Sequence, residues 1–360
     1  MSATPGTRTT AAEAAAMLRA LDLAGRGVRG ANPLVGAVLL STDGTVLGEG
    51  HHRGAGTAHA EPSALADAWR RGNDPRGATM VVTLEPCNHT GRTGPCSEAL
   101  LDAGVARVVY AADDVDGAAA GGARRLREAG VDCVGGLEAA RSRHLNRRWT
   151  ASVLARRPFV TLKSAQSLDG RVAACDGSSR WITGADARAD GHRIRALADA
   201  VLVGTGTVLA DDPRLTARLD PAPGAQDDAR VVPPTPGLRV VLGRTPVPDD
   251  ASVRGEGFLH LVTRDVDVAL GELHARGVRH VLVEGGPRIA SAFLRAGVVD
   301  ELFSYVAPLI LGDGAPAFPD LGVGTLTDAE RWALDDAGGP AVRQFGPDVR
   351  LHLGPPPATV

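Results

Sequence analysis

The sequence predicts an α/β protein built as two domains. Its 360 residues are enough for two hydrophobic cores at roughly 150 residues per domain. Short apolar runs of strand length alternate with helix-like stretches along the chain. That alternation is broken once, at a basic and apolar helical stretch, HLNRRWTASVLARRP, which ends at Pro158. Proline stops a helix and the next residues, FVTLKSAQSLDG, open a new strand and turn. The domains are therefore expected over 11–150 and 158–356, with the boundary near 146–158.

Taken in order, the small, polar first ten residues read as a frayed tail with no apolar core like that of a secretory signal. From Ala11 to Arg26, Met17, Leu18, Leu21 and Leu23 recur at near-helical spacing and predict an opening helix. VGAVLL, TVLGEG, ATMVVTL and ARVVYAA read as strands, and helix-like stretches follow His59, follow Cys96 and cover Ala123 to Ala129. In the second half ADAVLVG, LRVVLG, FLHLVT and RHVLVEGG read as strands, with helices after Ala185 and Arg288. The Pro-, Ala- and Asp-rich segment from Asp220 to Pro236 reads as a surface loop.

Composition narrows the function. Hydrophobic residues make up 44% and charged residues 22%, and the net charge is −3, so no basic excess points to nucleic acid. No apolar run approaches the roughly 18 residues of a membrane span. Four cysteines in this length are too few for a disulfide scaffold, and a cytoplasmic location is expected.

The sharpest chemical signal is His59-Ala60-Glu61 followed by Pro86-Cys87 and, after eight residues, Cys96. One imidazole and two thiolates give zinc three ligands and leave its fourth position to water, the arrangement of catalytic sites. Zinc lowers the pKa of such a water to about 7. Glu61, beside a ligand but not itself one, suits the proton shuttle that a deamination requires. Because Pro62 biases the residue before it away from helical angles, a helix is expected to begin close to Glu61, and extended geometry would put His59 and Glu61 on one face. A structural alternative is a closed site with Cys133 as fourth ligand.

The stretch resembles the cytidine deaminase superfamily, whose signature is H-x-E with P-C-x-x-C. The longer PCNHTGRTGPC, with Asn32-Pro33-Leu34-Val35-Gly36 and TLEPC, is similar to the deaminase half of the bifunctional riboflavin biosynthesis enzymes. That resemblance implies a cytidine deaminase-like three-layer domain. It also implies a pyrimidine ribose phosphate pocket lined by Asn32, His52, His89, Arg92 and Thr93, with Arg92 on the phosphate. Three positions depart from the family pattern: Pro62, Gly94, and Asp114-Val115-Asp116-Gly117 in place of D-P-N-P.

The second half carries no G-x-G-x-x-G after a strand. VGTGT and VEGGPRIASAF nevertheless have the shape of phosphate sites, where a strand runs into small residues. KSAQSLDGR, SRWITG, the helix with Ala187, Arg188 and Arg195, and DAVLVGTGTVLADDPRLTAR resemble the reductase domain of the same enzymes, whose fold is similar to dihydrofolate reductase. The resemblance implies substrate contacts at Ser179, Arg195, Leu215, Arg218 and Glu284. For NADPH it implies Ala165, Trp181, Thr207 and Asp211 together with Gly286, Pro287, Arg288, Ile289, Ala290, Ser291 and Ala292. Lys163 and Asp169 are candidates for the proton donor.

The function expected is zinc-dependent deamination of a phosphorylated pyrimidine followed by NADPH reduction of its ribose. The partner is a small molecule, with neither nucleic acid nor membrane, and the chain is expected to form a homo-oligomer. Two alternatives stand beside this: a nucleoside or nucleic-acid deaminase fused to a folate-type reductase, and a zinc-stabilised module that only binds phosphorylated metabolites.

Overall fold

The computed structural model describes residues 9–89, 94–117, 119–218 and 237–356. The Asp220–Pro236 loop expectation therefore lies outside the described residues, as do Arg92 and Thr93. The chain divides into two compact units, Met1–Ala155 and Arg156–Val360.

The first unit runs α1 (Ala11–Ala24), β1 (Gly36–Leu40), β2 (Val46–His51), α2 (Ala60–Arg70), β3 (Thr79–Leu84), α3 (Cys96–Asp102), β4 (Arg107–Ala112), α4 (Gly122–Glu128), β5 (Asp132–Gly135), α5 (Ala139–Leu145) and α6 (Arg147–Ala155). Thr10 and Glu13 form a reciprocal capping box that starts α1, satisfying two backbone donors that a helix start leaves open. The five strands lie in the order β2-β1-β3-β4-β5. β1 is antiparallel to both neighbours, and β3, β4 and β5 are parallel.

Side chains alternate across a strand, and here the alternation sorts two cores. Leu39, Met80, Val82 and Val108 pack with Leu65 of α2, Leu100 of α3 and Leu126 of α4. Val38, Leu40, Val81 and Val109 face Met17, Ala20 and Leu23 of α1. The unit is a three-layer sandwich, as the resemblance implies.

The second unit comprises β6 (Phe159–Ser167), β7 (Arg171–Ala173), α7 (Ala185–Ala196), β8 (Ala200–Gly204), α8 (Thr205–Asp211), β9 (Leu238–Leu242), β10 (Phe258–Leu261), α9 (Val266–Ala275), β11 (His280–Val283), α10 (Pro287–Arg295), β12 (Glu301–Ala307), β13 (Ala315–Pro316), β14 (Ala333–Leu334), β15 (Val342–Phe345) and β16 (Asp348–Gly354). The main sheet has the order β10-β9-β8-β11-β6-β12-β16-β14, with β15 on β16. From β10 to β12 every pairing is parallel, and β16 is antiparallel to its partners. Ala269, Leu270 and Leu273 of α9 and Phe293 of α10 cover one face. Ala187 and Ile194 of α7 pack on Leu282, Phe303 and Tyr305 of the other. Strands β12 to β16 and helix α9 are additions to the elements read from sequence patterns.

Candidate active sites

In the first unit the ends of α2, β3 and α3 converge. His59 caps α2 with an extended backbone, Cys87 lies just beyond β3 and Cys96 begins α3. Nδ1 of His59 is 3.5 Å from Sγ of Cys87 and 3.3 Å from Sγ of Cys96. Tetrahedral zinc, with bonds of about 2.0 Å to nitrogen and 2.3 Å to sulfur, sets such donors about 3.5 Å apart. The donor set therefore fits zinc in spacing as well as in chemistry. Among the described residues this cluster contains no fourth protein donor. Cys133 sits on β5, the last strand of the sheet, packed against the apolar core, so the closed-site alternative is not the arrangement seen.

One expectation is corrected. Glu61 does not share an extended stretch with His59, because α2 already begins at Ala60. Pro62 is tolerated inside the first turn because the amide it lacks has no helical acceptor there. Glu61 is buried and projects beside the cysteines. Burial first, and then the neighbouring Cys87 thiolate, push its carboxyl up to about 7. The Cys87 thiol is pulled down to about 4, chiefly because Cys96 donates to it and His59 lies alongside, while the Cys96 thiol moves up in return.

These groups open on a cleft of about 150 Å³. Its wall is set by a short chain of hydrogen bonds. Nδ1–H of His52 donates to the Ala58 carbonyl at 3.2 Å, which leaves Nε2 to accept from Asn32 Nδ2 at 2.9 Å. His52 thus fixes the orientation of the Asn32 amide. The Asn32 loop is held in turn by the end of the unit. Asn146 donates to the Leu34 carbonyl and accepts from its amide, at 2.9 and 2.8 Å, and the Trp149 indole donates to the Ala31 carbonyl at 3.0 Å. His89 lines the cleft, with its Nδ1 buried and unpaired among the described residues, an atom poised for a ligand. Glu85, Asp114, Asp116 and Trp149 also line it, and sequence reasoning did not single them out as contacts. Asp114 and Asp116 fall in the segment that departs from the family pattern; Trp149 carried no local signal. Burial raises Asp114 to about 6.

In the second unit β8, β11 and β6 are adjacent and parallel, so the segments following them emerge at one edge of the sheet. Arg195 on α7 donates from Nη2 and Nε to the two oxygens of Glu284, at 2.6 and 3.2 Å, and from Nη1 to the Thr216 carbonyl at 2.8 Å. Burial works to raise Glu284, but Arg195 and Lys163 hold it below its ordinary range. Burial, with Arg195 nearby, lowers the Lys163 ammonium. Lys163, Arg195 and Glu284 thus form one electrostatic cluster. Arg218 joins its margin through His192, whose Nδ1 is 3.3 Å from the Arg218 amide.

Gly286 caps α10, Pro287 opens it, and the Gly286 amide donates to Thr207 Oγ1 of α8 at 3.1 Å. A Cβ on Gly204 would lie 2.7 Å from Ile289, and one on Gly285 2.6 Å from it. The two glycine turns are therefore packed together on Ile289 at the start of α10, where the positive end of the helix favours an anion. Such a cradle fits a dinucleotide phosphate. Around it, Arg288 is exposed, Ala292 is partly buried, and Ala290 and Ser291 are buried. Ala165 lies on β6 beside Tyr305. Arg180 donates to the Asp211 carbonyl at 2.6 Å, and Arg188 lies 4.4 Å over the exposed Trp181 ring, so Trp181 and Asp211 share a neighbourhood. Ser179 is two residues before Trp181 and partly buried. Leu215 is different: its side chain belongs to the core with Val203 and Val208, so its backbone is what it offers a ligand. Asp169 caps the Leu311 and Gly312 amides, which makes it a turn-stabilising group rather than a free proton donor.

Comparison with known proteins finds relatives for both halves of the chain. Residues 10–112 match the cytidine and deoxycytidylate deaminase zinc-binding region, and residues 158–337 match the RibD C-terminal domain. The riboflavin biosynthesis protein RibD of Mycobacterium tuberculosis (strain ATCC 25618 / H37Rv) is 44% identical over 330 residues, covering 91% of this chain and 92% of its own. The Escherichia coli (strain K12) RibD is 39% identical over 370 residues, covering 94% and 98%. Among solved structures, Acinetobacter baumannii RibD superposes with a TM-score of 0.83 at 35% identity over 96% of this chain and 99% of that one. A diaminohydroxyphosphoribosylaminopyrimidine deaminase/5-amino-6-(5-phosphoribosylamino)uracil reductase from Thermotoga maritima gives 0.78 at 30% identity with the same coverage. With its zinc-type donor triad in one unit and its glycine-turn cradle in the other, the chain belongs to the RibD family of riboflavin biosynthesis, bifunctional enzymes that join a zinc deaminase to an NADPH-dependent reductase.

Proposed function

We propose that residues 11–150 deaminate 2,5-diamino-6-(5-phosphoribosylamino)pyrimidin-4(3H)-one and that residues 158–356 reduce the ribosyl group of the product to ribityl, giving 5-amino-6-(5-phosphoribitylamino)uracil. The observation that carries this reading is the open triad of His59, Cys87 and Cys96 with buried Glu61 at the wall of a cleft. Zinc held by the triad would activate water for attack at neutral pH. Glu61, buried beside the triad, would take the proton of the attacking water and deliver it to the departing amine, so that water replaces an amino group and ammonia leaves. Asn32, oriented by His52, and His89 hold the ring; Thr93 is assigned to the same pocket and Arg92 to the phosphate.

In the second unit Arg195, Arg218, Ser179, the Leu215 backbone and Glu284 hold the phosphorylated product. Thr207, Asp211, Trp181, Ala165 and the 286–292 segment hold NADPH, which supplies the hydride. Lys163, partly buried near Glu284, is placed to give the accompanying proton. We further read the protein as a cytoplasmic homo-oligomer; its four cysteines are all free, which suits a reducing compartment.

The test is to incubate the purified chain with the diaminopyrimidinone ribosylamine phosphate, with and without NADPH, and identify products by mass spectrometry. Deaminated product alone, then deaminated and reduced product with NADPH, is the expected pair. Untouched substrate on zinc-loaded protein rejects the deaminase assignment, and deamination without reduction rejects the second.

A further inference from the structure

A lysine side chain is long and flexible, so an ammonium that delivers a proton to one atom has to be held in place. A carboxylate is the usual holder. Lys163 has none: among the described residues its Nζ makes no hydrogen bond or ion pair, and both oxygens of Glu284 are taken by Arg195. Its direct partner is an aromatic face. Nζ lies over the Tyr305 ring, 5.5 Å from the centroid, inside the roughly 6 Å reach of a cation–π contact. The sheet register produces this contact. Lys163 of β6 faces Phe303 of β12, and Tyr305 is two residues farther along β12, hence a diagonal neighbour on the same face.

The ring is fixed from three elements. Tyr305 is only 1% exposed, and its hydroxyl donates to Asp190 Oδ2 on α7 at 2.6 Å. The same oxygen accepts from Arg350 Nη1 on β16 at 2.7 Å. The Arg350 guanidinium lies in turn over the rings of Phe303 and Phe345, at 5.1 and 5.3 Å. Burial, and then the bond to Asp190, push the Tyr305 hydroxyl up, so the ring stays a neutral phenol with an electron-rich face. Helix α7 also covers the lysine stem: a Cβ on Gly191, next to Asp190, would lie 3.8 Å from Lys163 Cε.

We propose that Tyr305, anchored by Asp190 and Arg350, is a positioning residue for the reduction: its ring face holds the Lys163 ammonium beside the Arg195–Glu284 pair, where it delivers its proton. The proposal rests on the reading of the second unit as a reductase with Lys163 as proton donor. Overall, a hydride from NADPH adds to the former anomeric carbon, the bond from that carbon to the ring oxygen breaks, and one proton ends on the oxygen, leaving NADP+. Lys163 supplies that proton and solvent recharges its amine. The groups that bear on the ammonium are Glu284 after β11, Arg195 and His192 on α7, and the ring of Tyr305 on β12; Asp190 and Arg350 lie behind the ring and offset each other. Burial and Arg195 disfavour the charged lysine, whereas Glu284 and the ring face favour it. Removing the ring therefore lets Lys163 lose its proton at lower pH.

The test follows NADPH oxidation by the full, zinc-loaded chain across pH, with 5-amino-6-(5-phosphoribosylamino)uracil as substrate so that deamination is bypassed. Loss of kcat at high pH reports the proton donor in the substrate complex. Tyr305→Phe keeps the ring and is expected to keep the wild-type alkaline limb. Tyr305→Leu removes the ring and should move that limb to lower pH by about one unit, with kcat down about ten- to hundredfold and both KM values near wild type. Pentafluorophenylalanine at position 305 keeps the shape of phenylalanine but reverses the charge of its face. It should shift the limb as leucine does, even where leucine disturbs the fold. A limb that stays in place in the ring-altered variants, one that moves to higher pH as water fills the space, or an equal shift in Tyr305→Phe overturns the inference. Lys163→Ala with an unaltered limb overturns the proton-donor reading beneath it, and a wild-type chain that oxidises no NADPH overturns the reductase assignment itself.

Discussion

Replacing Glu61 by glutamine separates its two roles, as a proton carrier and as a buried charge. Glutamine keeps the shape of the side chain but cannot take up a proton. Loss of a positioned acid/base typically costs 10²- to 10⁴-fold, about 3–5 kcal/mol in the barrier, with zinc content unchanged. The effect on stability has the opposite sign. In the zinc-free protein burial lifts the carboxyl from 4.5 to about 7. As pH rises through that window the unfolded chain releases this proton and the folded chain does not, so folded wild type progressively loses stability. At about 1.4 kcal/mol per pH unit, the shift is worth about 3 kcal/mol above pH 7, and Glu61→Gln escapes it. Ammonia release measured against bound zinc, and urea melts of zinc-free protein at pH 5 and pH 8, read both effects. A variant that keeps most of its activity with zinc bound, or one that is no more stable than wild type at pH 8, refutes the role given to Glu61.

Three further outcomes follow from the same geometry. Cys96→Ser should lower zinc affinity by more than the about 10- to 100-fold lost with an outer-shell partner, read by competition with a chelating dye. Asn146→Ala leaves both polar groups of Leu34 unsatisfied, costing about 1–3 kcal/mol; deamination should fall while zinc content holds. Arg195→Ala strands the Glu284 carboxylate, a loss of about 3–5 kcal/mol for a broken buried pair that urea melts should show, and Glu284→Gln in the same chain should restore part of it.

The zinc ligands were legible because metal chemistry restricts residue type and spacing together: His59, Cys87 and Cys96 stand out wherever the chain folds. The parallel strands β8, β9 and β11 were legible because both their faces are apolar. The C-terminal strands were not, and β16 shows why. Its core-facing residues are Asp348, Arg350 and His352, each nearly buried, whereas the apolar Val349 and Leu351 lie between them. Arg350 pairs with Asp190 and His352 with Glu301, so partners supplied by distant segments make polar residues interior and reverse the expected pattern. Trp149 escaped notice for a related reason. Its contribution is a hydrogen bond to Ala31, and nothing within its own helix announces a partner 118 residues earlier in the chain.

That long-range tie also separates the two halves of the site mechanically. The loop that carries Cys87 is fastened from residues 119–123, where the Asn88 amide donates to the Ala119 carbonyl at 2.9 Å and the Gly121 and Ala123 amides donate to Glu85. The loop that carries Asn32 is fastened instead by Asn146 and Trp149 at the end of the unit. Loosening the last helices therefore frees the substrate wall while the donor triad keeps its own anchors.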